Sequence, residues 1–419
     1  MKTKYRSIIL LLISIISATI AQGLSVISIP WYFTDILEKS SVFTLGYSAI
    51  TFFGLIWGLY AGVIIDNYNR KKILIYINLS STLLFALLGI YLVVIDPNSV
   101  IAPLIGFGAC SFYYIVFFPN LYAIIKEFTS KKDYIKINSI VELFIQSTNI
   151  ISATLCGILL SGSSEVLDYF NLVLFDFEEW SVENIFLLNS IMYFITFGLL
   201  LFVKYHPERK KTIYNVKKAI KEVQLAIKFL KKNQDILIYA VCSQIVFAFL
   251  IVELFALLPL FIKNCLNENV ITFALADVTY GFGAILAGFT TVILLRYYNK
   301  LIVTIILIII AGYAFTIMVE FQQLIIFFIC SFLIGVANAS IRITRMSYFF
   351  DKIPNNLMGR TNTIFNSINT LIRGFLILLF SISWFTKGEN VIIGYKIGVI
   401  ILILFSLPLI ITMLRRKLY

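Results

Sequence analysis

Long apolar runs recur along the whole chain and are separated by short polar or basic connections. Each run is continuous and about 20 residues long, which suits a helix crossing the roughly 30 Å hydrocarbon core of a bilayer. The alternating ten-residue segments of a transmembrane β-barrel do not occur. The pattern therefore predicts twelve membrane-spanning helices, at approximately 7–30, 43–65, 73–95, 101–125, 137–161, 185–203, 236–262, 270–295, 301–319, 324–347, 361–385 and 394–414.

The composition leads to the same fold class. The chain is 60% hydrophobic and 13% charged, with a mean hydropathy of +0.94, whereas soluble domains carry about 25% charged residues. Lipid offers the backbone no hydrogen-bond partners, so a chain this apolar must satisfy its own backbone groups within helices. The first apolar run follows Lys2, Lys4 and Arg6 but is too long for a cleaved signal peptide. We expect an all-α polytopic membrane protein that keeps its first helix.

Basic residues are distributed unevenly between the two sides of the predicted membrane. About 29 of the 34 lysines and arginines fall on the side of the amino terminus. Only Lys39, Lys263, Lys387 and Lys396 lie opposite, and Arg373 lies inside a span. Because basic residues stay on the cytoplasmic side of short loops, we predict that both termini are cytoplasmic and that the chain lies in the plasma (inner) membrane. The net charge of +12 follows from this bias, so we expect no nucleic-acid partner.

The longest basic connection divides the spans six and six, which predicts an amino-terminal bundle at 1–203, a linker at 204–235 and a carboxyl-terminal bundle at 236–419. The linker pattern is amphipathic, and it fits either a helix on the membrane surface or a solvated connector. Two short echoes join equivalent spans: Asn138-Ser139-Ile140 with Asn366-Ser367-Ile368, and Tyr68-Asn69-Arg70 with Tyr298-Asn299-Lys300. Their similar offsets, 228 and 230 residues, suggest two parallel six-helix repeats, as in transporters.

Residues suited to metal or catalytic chemistry are sparse. His206 is the only histidine, the five cysteines show no CxxC spacing, and no P-loop pattern occurs. No combination of nucleophile, base and orienting residue is readable in the spans. We therefore expect no metal, no cofactor and no enzymatic activity, and we expect a monomer.

The connection after span two carries a recognisable motif. It reads Gly62-Val63-Ile64-Ile65-Asp66-Asn67-Tyr68-Asn69-Arg70-Lys71-Lys72 and resembles the major facilitator superfamily signature G-x-x-x-D-x-x-G-[RK]-[RK]. Gly62, Asp66, Arg70 and Lys71 match, while Asn69 replaces the second glycine; asparagine tolerates left-handed backbone better than most residues. The resemblance implies the major facilitator fold and a latch between its halves, with Asp66 pairing to an arginine and a helix end. The alternative is that the basic residues only anchor the topology.

Weaker matches extend this resemblance along the chain. Pro119, the basic linker and Met358-Gly359-Arg360 are similar to the drug-efflux branch that contains macrolide exporters and the enterobactin exporter. Two features depart from that branch: Gln22, rather than a carboxylate, is the deepest polar residue of span one, and the connection between spans five and six is acidic.

Three ionisable residues fall near the middle of predicted spans: Glu253 in span seven, Asp277 in span eight and Arg373 in span eleven. Ionisable side chains inside a bilayer are costly and usually functional. The resemblance places these spans around a central cavity, so we predict one buried cluster in which Arg373 stabilises the charge of at least one carboxylate. A purely structural ion pair is the alternative. Glu142 lies near the cytoplasmic end of span five, where it could act as a gate or simply snorkel.

Polar and aromatic residues of spans one, four, five and eleven are the candidates for lining a substrate cavity: Gln22, Tyr113, Tyr114, Gln146, Asn149, Asn366 and Asn369. Each taken alone is more typical of helix packing. As a group, aromatic and amide side chains suit an amphipathic organic compound better than a phosphate or a sugar.

These patterns predict a secondary active transporter, namely an exporter of a small amphipathic compound such as a drug, a peptide natural product or a siderophore. We expect an ion gradient, with protons as the coupling ion, to drive it. Two alternatives stay open: an uptake transporter of a small organic solute, and a non-transporting scaffold or receptor on the same fold.

Overall fold

The structure, a computed structural model, describes residues 2–128, 134–170, 177–205 and 216–417. Within these ranges the side chains of 2–5, 66, 126, 134–136, 138–139, 142, 164–170, 216–222, 355–356 and 416–417 are outside the description. Every regular element in the described ranges is helical, and 12 of the helices are long and apolar enough to cross a membrane. The prediction of an all-α protein with twelve spans is confirmed.

We number the spans one to twelve and call the side on which the chain begins the amino-terminal side. Their helices are Lys2–Trp31 with a π-helical turn Tyr32–Ile36, Ser40–Asn67, Arg70–Val94, Ile101–Phe128, Tyr134–Phe170, Val182–Phe202, the segmented span seven (Gln234–Leu266), Val270–Tyr297, Lys300–Phe321, Leu324–Lys352, Asn355–Phe380 and Val391–Lys417. A further helix, Val216–Lys232, precedes span seven, and a 3₁₀ turn, Gly388–Asn390, precedes span twelve.

Most helices extend beyond the apolar runs that predicted them, because helical hydrogen bonding continues into polar ends while hydropathy marks only the apolar middle. Span eleven is the exception. Its helix ends at Phe380, and the apolar residues that follow form turns instead of a last helical segment. Arg373 therefore lies about 10 Å from that end, seven residues at 1.5 Å each, which is closer to the helix end than the apolar run 361–385 predicted.

Span seven is the most irregular of the described helices. Its α-helical segments are Gln234–Cys242, Ile245–Val252 and Leu258–Phe261, and π-helical turns follow at Glu253–Leu257 and Ile262–Leu266. Pro259 lies at the start of the short third segment and cannot donate a backbone hydrogen bond. Such π-turns are rare and frequently mark functional sites.

The two halves contain matching polar clusters on the amino-terminal side. The side chain of Asn69 accepts from the Lys72 backbone N–H at 3.2 Å and so caps span three; Asn299 accepts from Ile302 at 2.9 Å and caps span nine. Each cap is followed by a basic residue that pairs with an acid of the next span, at 2.5 Å in both cases: Arg70 with Glu127, and Lys300 with Asp351. The sequence echo around Tyr68 and Tyr298 thus corresponds to a repeated local structure.

The chain forms two compact units. The first comprises Met1–Lys39, Phe52–Tyr214 and Asn269–Leu275, and the second comprises Ser40–Thr51, Asn215–Glu268 and Ala276–Tyr419. In the first unit, span one packs against spans four, five and six, and span three packs against spans four and six; in the second, span nine packs against spans ten and twelve. The predicted bundles 1–203 and 236–419 follow chain order, not this packing, and they remain a proposal.

The acidic connection between spans five and six begins at a sharp break. Gly162 interrupts the helix Tyr134–Phe170 with φ +70°, a backbone conformation that favours glycine. Beyond it the Ser163 backbone N–H donates to the Phe177 carbonyl at 3.0 Å, and Trp180 N–H donates to the Leu159 carbonyl at 2.8 Å. The end of the connection is therefore held against the end of span five.

Candidate functional site

Glu253 is a carboxylate inside a membrane span. It opens the first π-helical turn of span seven, about 20 Å from the end of that span at Leu266, and it is 7% exposed. The Tyr395 hydroxyl, on span twelve, donates a 2.7 Å hydrogen bond to its Oε1. Both residues belong to the second unit. One side-chain donor is thus committed to one of the two carboxylate oxygens.

Aromatic rings surround this hydrogen bond. The Tyr395 ring lies 5.3 Å from Phe261, 6.0 Å from Phe315 and 6.4 Å from Phe249, measured between centroids, and all four side chains are fully buried. Span twelve makes room for the Phe249 ring through Gly398, where a Cβ would come within 1.9 Å of that ring. A charge in such an environment is poorly solvated, so it is costly unless a proton or a counter-ion neutralises it.

Asp277 lies on span eight, about 10 Å from the start of that helix at Val270, and it is half-buried. One turn further on, Tyr280 accepts a 2.7 Å hydrogen bond from the Asn338 amide of span ten. Tyr280 is close enough to Asp277 and to Glu253 to interact electrostatically with both. Spans seven, eight and ten therefore bring two carboxylates towards one tyrosine.

Arg373 does not join these acids in an ion pair. No described carboxylate oxygen lies within 4.0 Å of its guanidinium, and its Nε atom is buried without a hydrogen-bond partner. The structure therefore brings Glu253 to Tyr395, and not to Arg373 as the sequence interpretation expected.

Span seven breaks between its first two helical segments, and neighbouring spans bind the carbonyls at the break. The Arg345 guanidinium of span ten donates to the Ser243 carbonyl at 3.0 Å, and the Asn369 amide of span eleven donates to the Gln244 carbonyl at 3.2 Å. A buried carbonyl that loses its partner costs free energy comparable to its desolvation. Two side chains thus satisfy the backbone carbonyls at this break.

Replacing Arg345 with glutamine should destabilise the protein by about 1–3 kcal/mol, because the Ser243 carbonyl would lose its charged donor. Arg342→Gln is the matched control: Arg342 lies one turn away on the same helix but is exposed, so its replacement should change stability by less than about 0.5 kcal/mol. Thermal unfolding of both purified variants measures the difference. Equal unfolding temperatures would show that the Arg345 contact contributes nothing.

Two of the predicted cavity residues lie in the interior of the first unit. The Gln22 side chain donates to the Tyr193 hydroxyl at 2.8 Å, and the Tyr113 hydroxyl donates to Asn78 at 3.0 Å. The rings of Tyr113 and Tyr193 are 5.0 Å apart. These contacts join spans one, three, four and six through side chains that are already hydrogen-bonded.

The other predicted cavity residues differ in exposure. Tyr114 is 58% exposed and contacts Phe118, with ring centroids 4.7 Å apart. Gln146 and Asn149 are half-buried on span five, and Asn366 is exposed on span eleven. Asn369, by contrast, is 5% exposed and bound to span seven. The exposed and half-buried members are therefore more accessible to a ligand than Asn369.

Arg70, from the signature motif, is held within the first unit. Its guanidinium donates to the Ala123 carbonyl at 3.0 Å and to Glu127 at 2.5 Å, and the Tyr205 hydroxyl donates to the same carboxylate. Asn120 donates to the Arg70 backbone carbonyl at 2.8 Å. Arg70 thus connects span three to span four and to Tyr205, at the start of the predicted linker.

The remaining motif residues have distinct surroundings. Lys71 donates to the Leu201 carbonyl at 3.0 Å, and Gly62 is exposed with open space where a Cβ would be. Asn69 has φ −66° and ψ 116°, so its backbone is extended and not left-handed. Its role at this position is to cap the helix of span three. The side chains of Asp66 and Glu142 are outside the described residues.

Sequence reasoning missed Tyr395, Tyr280 and Arg345. The two tyrosines lie in apolar runs, where a phenol gives no hydropathy signal, and only tertiary packing reveals their hydrogen bonds. Arg345 could have been found, since it lies within a predicted span, but it is close enough to the span end to be taken as a topology anchor. Among the described side chains, no group of three or more His, Cys, Asp or Glu could hold a metal ion.

Several solved structures share this architecture, and the three that follow are named as transporters. A bacterial homologue of the human lysosomal transporter Spinster, in an inward-facing and unoccupied conformation, has 14% identity and a TM-score of 0.68, covering 97% of this chain and 95% of its own. The nucleoside transporter NupG has 13% identity and a TM-score of 0.68, with 98% of each chain covered. A POT family peptide transporter has 10% identity and a TM-score of 0.69, with 96% of each covered.

At these identities the structures establish the fold alone. Comparison with curated proteins finds no match. The sequence itself, however, matches the Major Facilitator Superfamily over residues 11–377, most of its length. The family match indicates a transporter rather than an enzyme. The chain is a multi-pass membrane protein that belongs to the Major Facilitator Superfamily.

Proposed function

We propose that the protein is a proton-coupled secondary active transporter that exports a small amphipathic compound by alternating access. The observation that supports this most directly is the pair of Glu253 and Tyr395. A carboxyl group in mid-membrane, in an aromatic shell and bonded by one hydroxyl, can carry a proton in one state and release it when water reaches it.

Span seven supplies the movement that this mechanism needs. Glu253 begins a π-helical turn, and the break at Ser243 lies nearer the amino-terminal side. Rearranging either irregular turn would change the exposure of Glu253 without unfolding a regular helix. Asp277 and Tyr280 are the second proton-binding candidates, since they interact electrostatically with each other and lie in the same unit.

The signature motif supplies the proposed latch. We assign the pairing of Asp66 to a neighbouring helix end from the family resemblance, and the bonds of Arg70 to Glu127 and Ala123 support a fixed geometry for the loop. Tyr205 joins this cluster at the start of the connection between the halves. The cluster would thereby couple the position of the linker to that of the latch.

Flux into proteoliposomes tests the proposal. Purified full-length protein should concentrate an amphipathic dye when a pH gradient is imposed, and it should not do so when the gradient is collapsed by a protonophore. Movement that follows only a sodium gradient would contradict proton coupling. Absence of flux under either gradient would favour the scaffold alternative.

The orientation with both termini in the cytoplasm, in the plasma membrane, is also a proposal. Cysteines introduced at Glu178 or Glu179, which are exposed beyond the end of span five, should react with an impermeant thiol reagent added to intact cells. Cysteines introduced at Lys228 or Lys231 should react only after permeabilisation, because the Lys and Arg bias places them inside. The five native cysteines are buried, which keeps the background low. Reversed labelling would overturn the orientation.

A further inference from the structure

Arg373 is a cation inside a membrane span, and none of the described carboxylates pairs with it. It lies about 10 Å from the end of span eleven and is half-buried. Its Nε atom is fully buried and has no hydrogen-bond partner. In the described part of the chain, no carboxylate oxygen lies within 4.0 Å of it.

A buried tyrosine lies near Arg373. Tyr47, 6% exposed, is near enough to interact electrostatically with the guanidinium, and the Tyr47 ring packs edge-on against Phe255 at 5.1 Å. The Ser48 hydroxyl donates to the Gly374 carbonyl at 3.2 Å, which fixes this segment beside span eleven. The nearby group that the described residues show for this guanidinium is therefore a buried phenol, and not the carboxylate of a structural ion pair.

The acids of the same unit do not neutralise this charge by contact. Glu253 is bonded to Tyr395, and Asp277 forms no ion pair with a residue whose side chain the structure describes. An unpaired charge at membrane depth costs several kcal/mol by most estimates, and residues that bear this cost commonly lie on substrate pathways. A counter-ion that arrives with the ligand would offset it.

We propose that Arg373 binds an oxyanion of the transported compound, which makes the substrate class an amphipathic organic anion. The guanidinium presents its N–H donors in a planar fork that matches carboxylate and phosphate oxygens. Phe255, which is half-buried beside Tyr47, offers apolar surface for the body of such a molecule. This inference rests on the proposed transport function and adds the charge of its substrate.

Equilibrium binding to full-length protein in lipid nanodiscs, without any gradient, tests this assignment. The probes are naphthaleneacetate and naphthyl phosphate, compared with the neutral naphthaleneacetamide. At least one anion should bind about ten-fold more tightly than the amide, the effect of one charge-assisted hydrogen bond. Arg373→Gln should reduce this preference to about two-fold or less. Arg296→Gln, which removes an exposed arginine at the end of span eight, should leave it unchanged.

Arg373→Lys tests whether binding depends on the planar geometry of the guanidinium or only on its positive charge. Lysine keeps the charge and loses the bidentate geometry, so it should retain part of the preference. If Arg373→Gln does not fold, the binding preference of Arg373→Lys is compared with that of the wild type instead. Three results would overturn the assignment: equal binding of anions and amide, no binding of either anion, or an undiminished preference in the Arg373 variants. Because no gradient is applied, the outcome is independent of the proton-coupling test.

Discussion

Glu253→Gln should abolish proton-driven accumulation while leaving substrate binding intact. The glutamine carbonyl oxygen can still accept the Tyr395 hydrogen bond, so the variant removes the exchangeable proton and little else. In vesicles whose lumen is one pH unit more acidic, one-to-one exchange supports about a ten-fold concentration of substrate. The variant should show no concentration above equilibrium. Flux of labelled substrate with and without the pH gradient provides the measurement.

Two further variants make this test specific. Tyr395→Phe removes the donor but keeps the carboxyl group, so it should shift the pH at which transport is half-maximal without abolishing coupling. Glu320→Gln changes a carboxylate that is 55% exposed at the end of span nine, and it should behave like wild type. If Glu253→Gln still concentrates substrate under a pH gradient alone, Glu253 does not carry the proton, and Asp277 becomes the candidate.

Gly283→Ala should severely destabilise the second unit. A Cβ at Gly283 would lie 2.1 Å from the Phe332 carbonyl oxygen, and one at Gly335 would lie 2.2 Å from the Tyr280 carbonyl oxygen. Spans eight and ten therefore approach each other backbone to backbone, and neither neighbouring atom can rotate away. Overpacking of this kind costs typically 1–3 kcal/mol and occasionally more. Unfolding in increasing concentrations of denaturing detergent measures the loss.

Gly288→Ala is the control on the same helix. Gly288 is exposed and has nothing within 4 Å of the position that a methyl group would take. Alanine has a higher helix propensity than glycine, so this change should be neutral or should stabilise by up to about 1 kcal/mol. An unfolding profile of Gly283→Ala that matches that of Gly288→Ala would contradict the close crossing.

The number of spans and the repeat could be predicted because both depend on local sequence. Hydropathy over about 20 residues marks each span, and the asparagines at 69 and 299 are helix caps whose chemistry acts within three residues. The family followed from a motif in one loop. These features do not require knowledge of which spans touch.

The details of the site required tertiary structure. Depth along a span predicted that Glu253, Asp277 and Arg373 lie close together, but depth gives no information on the direction in which a side chain points. The π-helical turns of span seven add to this difficulty, because each shifts the helical phase and breaks the 3.6-residue periodicity on which face assignments depend. The partner of Glu253 is a tyrosine from span twelve, a helix from which the sequence analysis named no candidate site residue.

The lone guanidinium of Arg373 has an electrical consequence. A carrier loaded with an organic anion differs by one charge from the empty carrier, and each elementary charge that crosses the membrane responds to about 2.3 kcal/mol per 100 mV. If a proton moves opposite to the anion, the two charge displacements add and transport generates current; if both move in the same direction, they cancel. Current recorded from protein adsorbed on a solid-supported membrane would therefore distinguish exchange from co-transport, whichever way the molecules are oriented.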